Sequence, residues 1–391
     1  MKEAVSNGLT HFTFLELKNW RNFTSLQVAL SQRVFLVGPN ASGKSNLLDV
    51  FRFLRDIVSV GGGFQEAIRR RGGVSSLRGL AARQYSDIVV KVGVGSEEEP
   101  DQWEYELRFN QDKQRRPFIR SEKVLERSRQ ILSRPDAQDK SDPERLTQTY
   151  VEQVYANQQF RDLADFFSSI RYLHVVPQLI REPDRSVGRI NDPFGGDFLE
   201  AIARTPEKTR TARLRRIRNA LELAVPQLSD LEMMRDEKGT PHLRGKYEHW
   251  RAMGAWQSEE LFSDGTLRLL GLLWALQEGR GPLLLEEPEL SLHPEVIRYI
   301  PQMFARAQRK QKRQIIVSTH SGEMLQDKGI GLNETLLLLP SREGTNVKPA
   351  SSIESIEELL EGGSSLADII IPRTSPKKAY QLTLFGEKSK S

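Results

Sequence analysis

The run Val34-Phe35-Leu36-Val37, followed at once by Gly38-Pro39-Asn40-Ala41-Ser42-Gly43-Lys44-Ser45, constrains this chain more than any other stretch. Four apolar residues in a row read as a strand buried on both faces. The next eight have the spacing G-x-x-x-x-G-K-[ST]. Beyond them Leu47, Leu48, Phe51, Leu54, Ile57 and Val58 recur at helical spacing. The glycines of such a turn let backbone N–H groups wrap a phosphate at the positive end of the helix. In that arrangement Lys44 reaches the β- and γ-phosphates, and the Ser45 hydroxyl holds Mg²⁺. The bland competitor is a chance glycine-rich turn.

Further stretches carry chemistry, each with an ordinary explanation when taken alone. Gly281-Pro282-Leu283-Leu284-Leu285-Glu286-Glu287-Pro288-Glu289 is an apolar strand ending in acids. The first acid can join a Mg²⁺ shell and the second can orient or deprotonate water, but solvated acids at strand ends are common. Ser263-Asp264-Gly265-Thr266 opens a helix marked by Leu267, Leu270, Leu273 and Trp274. Ser263 is a good N-cap, and an exposed helix N-terminus is an anion site as well as an ordinary cap. Ile315-Ile316-Val317-Ser318-Thr319-His320-Ser321 is a strand that delivers a histidine at its end. A lone histidine there is by default a satisfied core or surface residue.

The order of these stretches decides between the readings. Phosphate loop, Ser-x-Gly helix start, acidic strand end and strand-borne histidine follow one another, and this resembles the ABC-type ATPases, within them the SMC/RecF-like branch. Leu17-Lys18-Asn19-Trp20-Arg21-Asn22-Phe23 resembles the opening of such heads. The overall look is similar to stand-alone bacterial ATPases of the OLD and RecF neighbourhood. The resemblance implies that Gly38, Asn40, Ser42, Gly43, Lys44, Ser45 and Asn46 surround the nucleotide. Glu286 is then the Walker B acid, sharing Mg²⁺ with Ser45. Glu287 is the catalytic glutamate, and His320 the switch histidine, acting with Lys44. Ser291-Leu292-His293-Pro294 matches the D-loop region. Ser263 and Gly265 belong to the signature, which serves the ATP of a second protomer, with Asp264 where transporters usually carry glycine. No Q-loop glutamine is assigned, and Glu286 stands where many relatives have aspartate.

The implied fold class is α/β: a P-loop NTPase of ABC-ATPase (SMC/RecF head) type, with an N-terminal antiparallel β-subdomain, a parallel-sheet core and a mainly helical insertion. The expected divisions are residues 1–130 with Walker A, a mainly helical insertion over 131–244, residues 245–372 with signature, Walker B, D-loop and switch histidine, and a flexible tail over 373–391. The alternating runs Ile88–Val94 and Trp103–Phe109 predict a hairpin. Residues Ser133–Glu144 read as a loop, Arg145–Ser169 as helical, Ile170–Val176 as a short strand and Glu207–Leu223 as a basic helix.

Composition narrows the setting. The chain has no cysteine, which excludes disulfides and Cys-ligated zinc. No apolar run approaches the ~18–20 residues of a membrane span, and the N-terminus has no secretory core; a cytoplasmic protein without a membrane partner is expected. The net charge of +5 permits nucleic acid, DNA or RNA, without demanding it. Candidate contacts are Arg69-Arg70-Arg71 with Arg78, the Arg210–Arg218 helix and the Arg306–Arg313 stretch, each balanced against a plain solvated face. Gln381-Leu382-Thr383-Leu384-Phe385 resembles the peptide by which bacterial replication proteins dock on the sliding clamp, with Gln381, Leu382, Leu384 and Phe385 as contacts. Only about seventy residues follow His320, too few for the TOPRIM nuclease of OLD-type relatives. The expectation is therefore an ATP-hydrolysing switch using ATP and Mg²⁺. It forms a homodimer or higher even oligomer and controls a separate effector, a nuclease or toxin, in anti-phage defence. The rivals are a RecF-like repair ATPase and an ATP-stabilised scaffold with negligible turnover that restrains a toxic partner.

Overall fold

The computed structural model describes residues 9, 11–79, 87–182, 192, 194–248, 255–375 and 383. Alternation and burial build the first sheet. It contains β1 (His11–Trp20), β2 (Phe23–Ala29), β4 (Ile88–Gly95), β5 (Trp103–Gln111), β6 (Pro117–Glu126) and β7 (Arg129–Arg134) in the order β2-β1-β4-β5-β6-β7. All its pairings are antiparallel. Leu15, Leu17, Val90, Val92, Tyr105 and Leu107 form its buried face.

The second sheet holds β3 (Arg33–Val37), β8 (Arg171–Leu173), β12 (Leu283–Glu286), β13 (Ile315–Thr319), β14 (Thr335–Ser341) and β15 (Gly344–Pro349). Its order is β15-β14-β3-β13-β12-β8, parallel except for the edge strand β15. Continuous apolar runs such as Val34–Val37 and Leu283–Leu285 are buried on both faces here, as a covered parallel sheet requires. The Lys44–Val58 helix lies between the sheets. Its N-cap, Gly43, makes no side-chain cap. The helix is held instead by burying Leu47, Leu48, Phe51, Phe53, Leu54 and Ile57, at ~1.5–3 kcal/mol for each large apolar side chain.

A third, three-stranded sheet of β9 (Leu228–Arg235), β10 (Pro241–Tyr247) and β11 (Ala255–Ser258) packs with the Asp264–Ala275 helix. This departs from a helical insertion over 131–244. The stretch contributes β7 to the first sheet, β8 to the core sheet and the β9-β10 hairpin, and β10 pairs with β11 across the expected boundary at 244. The cause is burial: Leu228, Leu231 and Leu243 cover Leu267 and Leu270 of the signature helix.

The expected loop over 133–144 is also more ordered. β7 runs to Arg134, a helix spans Ala137–Ser141 behind a reciprocal Asp136/Asp139 capping box, and a 3₁₀ turn follows at Pro143–Thr147. The organising group is Arg134, whose buried guanidinium pairs with Glu122 at 3.0 Å and Asp139 at 2.8 Å. Between 145 and 169 only Arg161–Ser168 is α-helical. The Glu122 carboxylate accepts from the N–H groups of Tyr150 and Val151, and that of Glu152 from Thr149 and Phe64. Side chains thus satisfy backbone donors that a helix would have used, and Val154 and Tyr155 point outward. No described helix is long and apolar enough to cross a membrane. The Leu366–Thr374 helix runs past the expected boundary at 372. Gln381, Leu382, Leu384 and Phe385 lie outside the described residues.

Candidate functional site

The sheet topology brings the chemistry together. β3, β12, β13 and β8 are parallel, so their C-terminal ends lie side by side: Glu286 is opposite Ser318, and Thr319 opposite Val37. The carboxyl edge of such a sheet is where open α/β folds bind ligands. The glycine-rich turn leaves β3, Glu286 and Glu287 end β12, and His320 follows β13.

Lys44 is buried, and its ammonium donates to the carbonyls of Gly38 at 2.9 Å and Pro39 at 3.2 Å. It lies 3.9 Å from Glu287. Burial pushes the Lys44 pKa down, and Glu287, Glu289 and Glu286 oppose that shift. Ser45 Oγ donates to Glu286 Oε1 at 2.5 Å. Glu287 Oε1 is 3.3 Å from Nδ1 of half-exposed His320. Glu287 holds a left-handed backbone with φ 42°, and its N–H donates to Ser318 O at 3.1 Å. Such strain in a non-glycine residue persists only where the surroundings enforce it, and it gathers at functional sites. Lys44, Ser45, Glu286, Glu287 and His320 therefore form one cluster.

The residues fit a nucleoside triphosphate with Mg²⁺. The first turn of the Lys44–Val58 helix presents N–H groups that no helix satisfies internally. Among the described residues, Ser42 Oγ is buried without a hydrogen-bond partner. Ser45 and Glu286 supply the hard oxygen ligands that Mg²⁺ takes. Asn40 lies on the exposed crest of the turn and Ala41 has φ 61°.

Several residues escaped sequence reasoning. Asn22 bridges the turn: its Nδ2 donates to Ser42 O at 3.0 Å and Thr345 Oγ1 at 2.7 Å, while its Oδ1 accepts from Asn46 at 2.7 Å. Thr345 Oγ1 donates to Ser42 O at 2.8 Å, and Trp20 Nε1 to Asn46 O at 3.0 Å. The Asn19–Phe23 opening is thus a brace for the phosphate loop, and a Cβ on Gly43 would come within 2.1 Å of Asn22 Nδ2. Tyr172 donates its hydroxyl to Glu286 Oε2, and His174 Nδ1 lies 3.3 Å from the Glu286 carbonyl, both at the end of β8 where no glutamine stands. Glu289, 4% exposed, accepts from Thr319 Oγ1 at 2.5 Å and lies 3.4 Å from the His320 N–H. Burial pushes its pKa up, against the Thr319 hydrogen bond. Only the third acid of Glu-Glu-Pro-Glu hinted at Glu289. Asn22 stood in the Leu17–Phe23 stretch with no role assigned to it, and nothing local marks Thr345; both meet the loop through sheet topology.

The signature turn is built differently. Ser263 Oγ caps the Asp264–Ala275 helix through the Thr266 N–H at 3.1 Å. Arg181 holds Asp264 at 2.6 Å and donates to Phe262 O at 2.6 Å. Gly265 lies against the D-loop region, where a Cβ would meet Ser291 O at 2.5 Å. Ser263 is exposed. Among the described residues no hydrogen bond or ion pair joins the 263–266 turn to the phosphate loop.

The basic clusters separate. Arg71 is buried between Asp49 and Asp56, and Arg69 and Arg70 both pair with Glu66, so that stretch is largely neutralised. Arg313 is buried and donates to the carbonyls of Gly281, Ala275 and Glu278, a structural role; burial pushes its pKa down to about 9. Arg215, Arg216, Arg306, Arg309 and Lys310 remain exposed.

The fold is that of an SMC-head P-loop ATPase domain. The chain belongs to the family described as "AAA domain, putative AbiEii toxin, Type IV TA system", whose model matches residues 33–325. Among solved structures it is similar to the Smc head bound to the C-winged helix domain of ScpA, with 16% identity, TM-score 0.52, and 86% of this chain and 97% of that chain covered. It is also similar to the Smc head domain with an extended coiled coil bound to the C-terminal domain of ScpA, derived from Pyrococcus furiosus, with 13% identity, TM-score 0.50, and 90% and 100% covered. At such identities the likeness concerns the fold. A comparison with curated proteins found no match.

Proposed function

We propose that the protein hydrolyses ATP as a dimeric switch, with each ATP held by Lys44 of one copy and covered by Ser263 of the other. The observation that carries this is the split site. Lys44, Ser45, Glu286, Glu287 and His320 cluster, whereas among the described residues the capped, exposed Ser263 turn has no bond to them in its own chain. Mg²⁺ bound with ATP would supply charge neutralisation at the β- and γ-phosphates. Glu286 and Ser45 would hold it. Glu287 accepts a proton from the attacking water, and His320 orients Glu287. The N–H groups after Ser263 then add an anion site from across a two-fold interface. Hydrolysis removes that link and separates the copies.

The partner in this reading is a separate effector, a nuclease or toxin, in phage defence. The family description mentions a toxin and a Type IV TA system, which bears on a toxin setting and not on the separateness of the effector. Sedimentation with and without ATP tests the switch, using Glu287→Gln to hold ATP. The expected result is a gain in mass on adding ATP that corresponds to pairing of copies, and a Ser263→Arg variant that still binds ATP but shows no ATP-dependent gain in mass. A Ser263→Arg protein that dimerises like its parent would overturn the shared site.

A further inference from the structure

Two of the basic stretches converge in space. The Glu207–Ala224 and Ile300–Gln311 helices flank a groove of about 650 Å³ at the C-terminal end of the signature helix. One rim carries Lys208, Arg213 and Arg216, and the other Arg306 and Lys310. Among the described residues none of these cations is in an ion pair, and no carboxylate lines the groove. Its floor is aliphatic, formed by Leu273, Leu276 and Ala212.

An apolar floor between cationic rims suits the docking of an acidic helix. It suits nucleic acid less: no exposed aromatic lines it for base stacking, and a sugar–phosphate chain gains little from leucine. The chain itself carries such a helix. Glu354–Glu361 exposes Glu354, Glu357, Glu358 and Glu361, and none of these is ion-paired among the described residues. Leu359 beside them is 41% exposed. Eight residues span about 12 Å, a length two flanking helices can receive.

We propose that this groove receives the Glu354–Glu361 helix of a second copy. Groove and helix are separate surfaces of one copy, so each copy both gives and receives: the contact reciprocates across a two-fold axis or propagates head-to-tail. The groove lies about 15 Å along the signature helix from Ser263, so this contact does not depend on the ATP interface.

The test is a charge swap in the full-length chain, read by mass photometry and sedimentation without nucleotide and with ATP. Wild type is expected to self-associate without ATP and to dissociate at ~1 M salt, where screening acts within ~3 Å. Arg216→Glu with Lys310→Glu removes that association, as does Glu357→Arg with Glu358→Arg. Mixing the two variants restores it, because each supplies the surface that the other lacks. Circular dichroism confirms that both variants are folded. Ser263→Arg leaves this association intact, so failure of the ATP interface and failure of this contact are read separately. A wild type that does not self-associate without ATP, or variants that keep its mass, would overturn the proposal. So would a groove variant of unchanged mass that no longer binds a labelled random-sequence DNA duplex, which would assign the groove to nucleic acid.

Discussion

Glu289 shows what a single buried group does to this site. It sits behind Lys44 and His320 with one oxygen bonded to Thr319 and the other, Oε2, without a partner. Burial raises its pKa, so the folded chain holds this proton more tightly than the unfolded chain. Its contribution to stability therefore grows as pH falls through the folded pKa, and the ionised form is a net cost above it. Glu289→Gln should raise the unfolding temperature at pH 8, with the gain vanishing toward pH 4; each pKa unit of displacement is worth ~1.4 kcal/mol. Calorimetry across that range checks it. Gly43 is the opposite case, a residue defined by the side chain it lacks. Its φ of 99° and its contact with Asn22 leave no space for a Cβ. Gly43→Ala should cost ~1–3 kcal/mol by overpacking. It should also weaken ATP by about tenfold for each ~1.4 kcal/mol by which the brace is displaced, measured with a fluorescent ATP analogue. Glu287→Gln should slow hydrolysis by roughly 10²–10⁴-fold, the usual share of general-base catalysis, while ATP binding persists; phosphate release against analogue binding separates the two.

Among the elements, the link between β6, β7 and the turns that follow depends on one ion-pair network. Arg134 joins Glu122, Asp139 and the carbonyls of Gln148 and Arg145, and its guanidinium lies 3.8 Å from the Tyr150 ring centre. Both carboxylates and the arginine are fully buried. Arg134→Met strands Glu122 and Asp139 and should cost ~3–5 kcal/mol, since breaking one partner of a buried pair leaves an uncompensated charge. Urea unfolding measures this. The same network explains why 133–157 read poorly in sequence. The polar residues that suggested a loop are partners of one another, and the helical apolar spacing over 145–155 forms no α-helix because the Glu152 and Glu122 carboxylates take the N–H groups of Thr149, Tyr150 and Val151. By contrast, Ile88–Val94, Trp103–Phe109, Lys44–Val58 and Glu207–Ala224 were legible, because each declares its period within its own stretch.

At the scale of the whole molecule, the two faces of the signature helix do different things. Its N-terminus presents Ser263 and its apolar flank buries Leu267 and Leu270 against the third sheet. Arg268, one turn on, lies near Glu286 and Glu287. This helix therefore packs against both the acids of its own chain and the third sheet. Replacing Leu243, buried at its centre, by alanine should cost ~2–5 kcal/mol. It should also lower ATP-driven dimer formation more than ATP binding; sedimentation against analogue titration resolves the two.

From residue order alone come the phosphate loop, the acidic strand end, the strand-borne histidine and the capped Ser263 turn, because each is a local pattern whose chemistry depends on neighbours a few residues away. Tertiary structure alone decided that Asn22 and Thr345 brace that loop, that Tyr172 meets Glu286, and that Lys208 and Arg216 lie across a groove from Lys310. Those contacts join residues tens to hundreds of positions apart. Strand order and helix packing set them, and neither leaves a mark in the stretch of chain around any one partner.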